Sequence, residues 1–245
     1  MSLKKYVIAD LKVLMQCSEE HMIKQGAAYL MDFEGEPDIV IDLPAEFLHT
    51  QSEKYPQLTY DETEYVWTGS YFYHKLVSFD GFMLHSSSIV VDGKAFLFSA
   101  PSGTGKSTHT SLWLKYLGDN NVQILNDDKP AIRLIDDTLY AFGTPWSGKT
   151  DKNLNIKIPL GGIVILTRSE ENYIKQASTA EAVRQIYWQS VRPRKEELMV
   201  QLLDLYEKLL KNVPVFEMGC NISEDAVRVS YEALLGKPYN INGVD

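Results

Sequence analysis

Residues 100–108 read APSGTGKST, directly after the apolar run 95–98 and before a stretch with helical periodicity. Gly103 and Gly105 allow the backbone to curl so that successive N–H groups face one point. The N-terminus of the following helix adds partial positive charge there. The pattern predicts a phosphate-binding loop with Ala100 at the position of the usual first glycine. The alternative is a glycine- and serine-rich turn that fits the pattern by chance.

The side chains of this segment have separate predicted roles. Lys106 would reach the β- and γ-phosphates of a nucleoside triphosphate, and the Ser107 hydroxyl would be a ligand of Mg²⁺. The nucleotide is expected to be ATP or another nucleoside triphosphate. The residues expected to bind it are Ser102, Gly103, Thr104, Gly105, Lys106, Ser107 and Thr108.

Two acidic residues, Asp127 and Asp128, follow Asn126 at the end of the apolar run 122–125. A carboxylate at the end of a strand beside a phosphate-binding loop can hold the metal. A second carboxylate can accept the proton of an attacking hydroxyl, as general-base catalysis requires. A capped turn is the alternative interpretation, because Asn and Asp favour turns. The residues alone leave open which carboxylate has which role.

The order of the predicted elements is typical of the α/β class. Asp92 and Gly93 separate the apolar runs 89–91 and 95–98, which predicts a hairpin that leads into the loop. We also predict a loop-rich stretch at 44–63, an N-terminal α/β subdomain at 1–80, and a nucleotide-binding, kinase-like core with C-terminal helices at 81–245. Further strands are predicted at 6–15, 37–43, 122–125, 131–135, 139–142, 163–167 and 213–218. Helices are predicted at 18–31, 64–79, 106–117, 198–209 and 223–235, and one more begins at 178 and ends before Pro193.

Together, His85, the hairpin, residues 100–108 and the pair Asp127 and Asp128 resemble the catalytic domain of HPr kinase/phosphorylase. More distantly, they resemble the ATP-dependent phosphoenolpyruvate carboxykinases. The resemblance covers about residues 82–168 and implies a P-loop core with mixed, partly antiparallel sheets. It also implies that His85 belongs to the active site, that Asp128 activates the acceptor hydroxyl and that Asp127 binds Mg²⁺.

The sequence departs from that family after the acidic pair, where the Glu-x-Arg-Gly signature of HPr kinases has no counterpart. Residues 143–149 instead read GTPWSGK. We predict a mobile, glycine-flanked loop that brings Lys149 to a phosphate as a catalytic residue and Trp146 to a base or acceptor. A surface turn with a packed tryptophan is the alternative.

The resemblance implies an ATP- and Mg²⁺-dependent enzyme that phosphorylates a hydroxyl, with a serine of a small protein or peptide as the leading acceptor. A small-molecule alcohol as acceptor is one alternative, and a non-catalytic nucleotide-binding regulatory protein is another. The 24 Lys and Arg residues against 33 Asp and Glu residues give a net charge of −9. This excess of acidic residues argues against nucleic acid and anionic membranes as partners.

The two cysteines, Cys17 and Cys220, lie far apart and lack the spacing of a metal site. Because structural disulfides are rare in reducing compartments, this cysteine usage favours a cytoplasmic location. We also find no apolar run of about 18 residues, the length expected of a membrane helix. A homo-oligomer is compatible with the sequence.

Overall fold

The computed structural model describes residues 3–239, whose mixture of helices and strands confirms the predicted α/β class. The strands are β1 Lys4–Ile8, β2 Leu11–Met15, β3 Ile39–Ile41, β4 Gly81–Met83, β5 Ser86–Val91, β6 Lys94–Ser99, β7 Gln123–Asn126, β8 Ala131–Ile135, β9 Thr138–Phe142, β10 Lys157–Arg168, β11 Tyr173–Gln176 and β12 Val215–Cys220. The α-helices are α1 Glu20–Gly26, α2 Ala45–Lys54, α3 Tyr60–Leu76, α4 Lys106–Leu117, α5 Thr179–Trp188, α6 Glu196–Asn212 and α7 Glu224–Leu235. Within residues 3–239, no helix is both long and apolar enough to cross a membrane.

The smaller sheet has the order β1-β2-β3, with β1 and β2 antiparallel and β3 parallel to β2. The prediction of a single strand at 6–15 is wrong, because a tight turn divides this segment into β1 and β2. The turn contains Ala9 and Asp10, whose φ angles of 54° and 59° lie in the left-handed region. An alanine at this position does not indicate a turn, because residues other than glycine, Asn and Asp rarely adopt this conformation.

The larger sheet runs β4-β8-β9-β10-β6-β5-β7, with β12 also beside β10 and β11 beside β12. The long strand β10 pairs with β9 through its first residues and with β6 and β12 through the rest, so it joins the two halves of the sheet. Strands β6 and β7 both pair antiparallel with β5. The carboxyl ends of β6 and β7 therefore lie at the same edge of the sheet, where β5 begins.

Helices cover both faces of the half of the sheet that contains β6 and β10. Residues Leu97 and Ile163 pack in one apolar cluster with α5 and α6, whereas Phe98 and Val164 pack in another with α4 and α7. This division follows from the alternation of side chains along a strand. A third apolar cluster joins β1, β2, β3 and α3 to residues of β4, β8 and β9. The boundary near residue 80 stays a prediction.

The prediction of a loop-rich stretch at 44–63 is wrong. Helix α2 begins directly after Pro44, a residue that is well tolerated at the start of a helix. Helix α3 begins after Thr59, whose hydroxyl accepts from the backbone N–H of Glu62 while the Glu62 carboxylate accepts from the backbone N–H of Thr59. This capping box starts α3 earlier than its aromatic residues indicate.

Candidate active site

Residues 100–105, here called the glycine loop, connect the end of β6 to the first residue of α4. Gly103 has a φ of 77° and Gly105 a φ of 120°. A Cβ at either position would meet nothing within 4 Å among the described residues, so the backbone conformation rather than crowding requires glycine. The loop thus delivers the chain to the N-terminus of α4 through two conformations that other residues rarely adopt.

Lys106 is 7% exposed and folds back over the glycine loop. Its ammonium donates to the carbonyl oxygens of Ala100, at 3.0 Å, and Pro101, at 3.4 Å. Burial lowers the pKa of Lys106, whereas the negative charges of Asp128 and Asp127 act in the opposite direction. The Lys106 ammonium is therefore held by neutral carbonyls, which an incoming anion can replace.

Asn126, the last residue of β7, fixes the turn that carries the acidic pair. Its side-chain amide donates to the carbonyl of Thr144 at 2.9 Å. Its side-chain oxygen accepts from the backbone N–H groups of Asp128 and Lys129, at 3.0 and 2.7 Å. Because Asn126 is fully buried, this turn is anchored in the sheet rather than free at the surface.

The Asp127 carboxylate is buried and accepts hydrogen bonds from the hydroxyl groups of Ser87 and Thr150. The Thr150 hydroxyl lies at 2.8 Å. The Ser87 hydroxyl is also within 2.7 Å of the Thr110 hydroxyl on α4. These donors are neutral, so the negative charge of Asp127 remains available to a cation.

The Asp128 carboxylate is surrounded by donors from three parts of the chain. His85 Nε2 lies 3.2 Å from one oxygen, and the Lys129 ammonium and the Tyr65 hydroxyl contact the other. Burial raises the pKa of Asp128, but the hydrogen bond from His85 and the charge of Lys129 outweigh burial and lower it to about 2. Asp128 is therefore an ionised, firmly held carboxylate at neutral pH.

His85 lies between β4 and β5 and is held by Gln189, which follows α5. The backbone N–H of His85 donates to the Gln189 carbonyl at 2.8 Å, and ring Nδ1 is 3.0 Å from the side-chain oxygen of Gln189. These two contacts fix the ring so that Nε2 faces Asp128.

The loop, the acidic pair and the histidine line one open cleft of about 460 Å³. Its remaining wall is the short 3₁₀ turn Gly148–Thr150. Thr104 instead lines a neighbouring cleft on the other side of the loop. The predicted site residues that line the first cleft are His85, Ser102, Gly103, Gly105, Lys106, Ser107, Thr108, Asp127, Asp128 and Lys149.

The donor set in this cleft suits Mg²⁺. The Ser107 hydroxyl and the Asp127 carboxylate are both oxygen donors, as Mg²⁺ prefers, and both line the cleft. Over residues 3–239 there is no cluster of three or more His, Cys, Asp or Glu side chains that could hold a metal on its own. In proteins, Mg²⁺ is commonly held by one or two carboxylates together with substrate phosphates.

The prediction that Trp146 contacts a base or acceptor is wrong. Trp146 is fully buried, stacks on Phe72 with ring centroids 4.9 Å apart, and donates its indole N–H to the Thr68 hydroxyl. A Cβ at Gly69 would lie 2.8 Å from the indole, so α3 carries glycine where the ring approaches. The ring anchors the segment in the core, which leaves Lys149 as the exposed residue at the cleft.

The predictions from the sequence do not include several residues of this site. Lys129 directly follows the acidic pair, and Ser87 lies in a run of three serines on a strand, so both had a local signal. Tyr65 and Gln189 come from α3 and from the end of α5, and no local pattern links them to the loop.

No protein-family model and no curated protein matches the sequence. Among solved structures, the chain is similar to one described as the Hpr(Ser) kinase/phosphatase from Coxiella burnetii, with 14% sequence identity and a TM-score of 0.35. The likeness covers 63% of this chain and 93% of that chain.

Proposed function

We propose that the protein transfers the γ-phosphoryl group of a nucleoside triphosphate, ATP in the first instance, to a hydroxyl group. One observation carries the proposal: Lys106 and Ser107, at the N-terminus of α4, line the same cleft as two adjacent carboxylates, Asp127 and Asp128. Phosphoryl transfer needs this combination, because positive charge must hold the phosphates while a carboxylate meets the acceptor.

The glycine loop and α4 provide the site for the phosphates. Backbone N–H groups at the start of a helix are unpaired and carry partial positive charge, which favours anions. The Lys106 ammonium would exchange the carbonyls of Ala100 and Pro101 for phosphate oxygens. That exchange trades neutral partners for charged ones, so the resulting hydrogen bonds are stronger.

Mg²⁺ would be held by the Ser107 hydroxyl and the Asp127 carboxylate. When bound, it neutralises charge on the β- and γ-phosphate oxygens. Asp127 is better suited to this role than Asp128, because its hydrogen-bond donors are neutral hydroxyls, whereas Asp128 is already paired with Lys129 and His85.

Asp128 is the group we assign to the acceptor hydroxyl. The low pKa of this carboxylate makes it a weak base in the free protein. A loose transition state needs the hydroxyl oriented first, and Asp128 accepts its proton only as the phosphoryl group is transferred. His85 and Tyr65 hold the carboxylate in place for that purpose. Lys129 and Lys149 add positive charge near the transferred group.

The acceptor that we propose first is a serine of a small protein or peptide, which rests on the resemblance to HPr kinases. A small-molecule alcohol would use the same residues. The cytoplasmic location and the oligomeric state also stay predictions.

Turnover of ATP labelled in the γ-phosphate tests the proposal, with water, serine peptides, small alcohols and the proteins of a cell extract as acceptors. The wild type and the control Asp119→Asn, at an exposed loop position, should consume ATP and label an acceptor. Lys106→Ala and Asp128→Asn should lose this activity. Binding of Mg²⁺-ATP without turnover in any acceptor mixture would contradict the proposal and favour a non-catalytic nucleotide-binding protein.

A further inference from the structure

A second cleft, of about 360 Å³, lies on the other side of the glycine loop. One wall is the loop with Arg168, the floor is α4 with His109 and Leu112, and the last wall is the segment after β12 with Ile222. We refer to it as the side cleft. None of these side chains has a role in the phosphoryl transfer proposed above.

The side cleft continues from the cleft that Lys106 and Asp128 line. Gly103, Gly105 and Thr108 line both of them. Phosphates that lie along the loop, with the γ-phosphate near Asp128, therefore have their other end at Thr108 and the side cleft. In a nucleoside triphosphate, that end carries the ribose and the base.

The walls of the side cleft suit a flat ring with polar edges. Leu112 supplies apolar surface, and Ile222 is 78% exposed at the rim, where a large apolar side chain gains from being covered. The Arg168 guanidinium is already fixed by hydrogen bonds to the carbonyls of Gly103 and Thr104. A fixed, planar guanidinium is a good stacking surface for an aromatic ring.

His109, in the floor of the side cleft, is buried and uncharged. The Trp113 indole, which can only donate, gives its N–H to His109 Nε2 at 3.2 Å. Burial lowers the pKa of His109 to about 4, so the ring is neutral at pH 7 and carries its proton on Nδ1. In the part of the chain that the structure describes, this buried Nδ1 has no hydrogen-bond partner. Because this nitrogen is shielded from solvent, the His109 ring contributes only surface to the floor of the cleft.

We propose that the side cleft binds the base and ribose of the nucleoside triphosphate, with Ile222, Leu112 and Arg168 against the ring. This inference rests on the proposed function, because it assumes that the triphosphate lies along the glycine loop.

The affinities of Mg²⁺-ATP and Mg²⁺-tripolyphosphate, measured by calorimetry, test the nucleoside site separately from the phosphate site. The wild type should bind ATP at least tenfold more tightly than tripolyphosphate, which lacks the nucleoside. Ile222→Asp should remove most of this difference, and Leu203→Asp, at an exposed position of α6, should keep it. Any repulsion between the new carboxylate and the phosphates affects both ligands, so it largely cancels in the ratio.

Photocrosslinking with 8-azido-ATP gives a second readout that depends on no variant. The label should map to residues 109–112, 168–169 or 220–222, and excess ATP should suppress it. Equal affinities for ATP and tripolyphosphate, or a label elsewhere, would overturn the assignment of the side cleft and leave the phosphate site intact. Failure of both ligands to bind would overturn the proposed function and this inference together.

Discussion

Asp127 and Asp128 are neighbours in the chain, yet their surroundings differ. Asp127 accepts from the hydroxyls of Ser87 and Thr150, whereas Asp128 is paired with His85 and Lys129. Identical side chains at adjacent positions can therefore have different functions, because the neighbouring strands and helices supply different partners. The sequence predicted the pair but could not separate the two roles from the residues alone.

The different surroundings predict separable kinetic defects. Asp128→Asn should lower turnover by about 10²- to 10⁴-fold, the usual cost of losing a general base, without raising the Mg²⁺ concentration needed for half-maximal rate. Asp127→Asn should lower turnover and also raise that Mg²⁺ requirement. Titration of the rate with Mg²⁺ at saturating ATP measures both. If the two variants respond identically to Mg²⁺, the assignment of the metal to Asp127 is wrong.

The low pKa of Asp128 also predicts how stability depends on pH. Its folded pKa, about 2, lies below the ordinary value of 3.8, so the ionised carboxylate stabilises the fold above pH 4. This contribution, up to about 2 kcal/mol, is lost as the pH falls from about 4 to about 2. Urea unfolding should show the wild type more stable than Asp128→Asn at pH 7, with the difference shrinking across that range. A difference that is constant with pH would mean that the His85 and Lys129 contacts do not stabilise the carboxylate.

At the scale of the elements, the segment 143–149 combines a fixed end and an exposed end. Trp146 is packed against Phe72, while Lys149 lies in the 3₁₀ turn that lines the cleft. The sequence pattern identified the segment as important and assigned its lysine to the cleft, but it could not show that the tryptophan belongs to the core. The packing of Trp146 in the core depends on Gly69, which lies in a helix more than 70 positions earlier in the chain.

We expect nucleotide or acceptor to order the exposed end of this segment, because Lys149 can pair with a phosphate. Lys149→Ala should reduce turnover more than it weakens ATP binding, since the added charge matters most in the transition state. The control Lys152→Ala, in the same connection, should have a smaller effect. Backbone hydrogen exchange at 148–150 should slow when nucleotide binds. Unchanged exchange together with normal turnover of Lys149→Ala would make this turn an ordinary surface connection.

Local patterns also explain which elements could be predicted. The Asp92-Gly93 hairpin and α4 form as predicted, because a turn signal and a helical period lie within a few residues. The turn at Ala9 and Asp10 lacks such a signal, and α2 was missed because Pro44 and Pro56 indicated a loop. In these places the tertiary environment, rather than local preference, determines the conformation.

At the scale of the whole molecule, the N-terminal elements hold the wall of the cleft. Gln25, in α1, donates to the carbonyl of Gly148 at 2.9 Å, and the Tyr65 hydroxyl in α3 accepts from the backbone N–H of Gly148 at the same distance. Tyr29 donates to the side chain of Asn153 at 2.9 Å. No local pattern in residues 1–80 indicates this supporting role, since these contacts cross more than 80 positions. They make the N-terminal elements part of the support of the site.

The central claim is that the glycine loop binds the phosphates of a nucleotide, and the free energy of unfolding with and without Mg²⁺-ATP tests it most directly. A ligand that binds only the folded chain should stabilise it by roughly 2.7 kcal/mol at a hundredfold excess over its dissociation constant. Lys106→Ala should abolish most of this stabilisation, while Lys115→Ala, farther along α4, should keep it. If neither ATP nor GTP with Mg²⁺ changes the unfolding of the wild type at saturating concentration, the nucleotide assignment is contradicted.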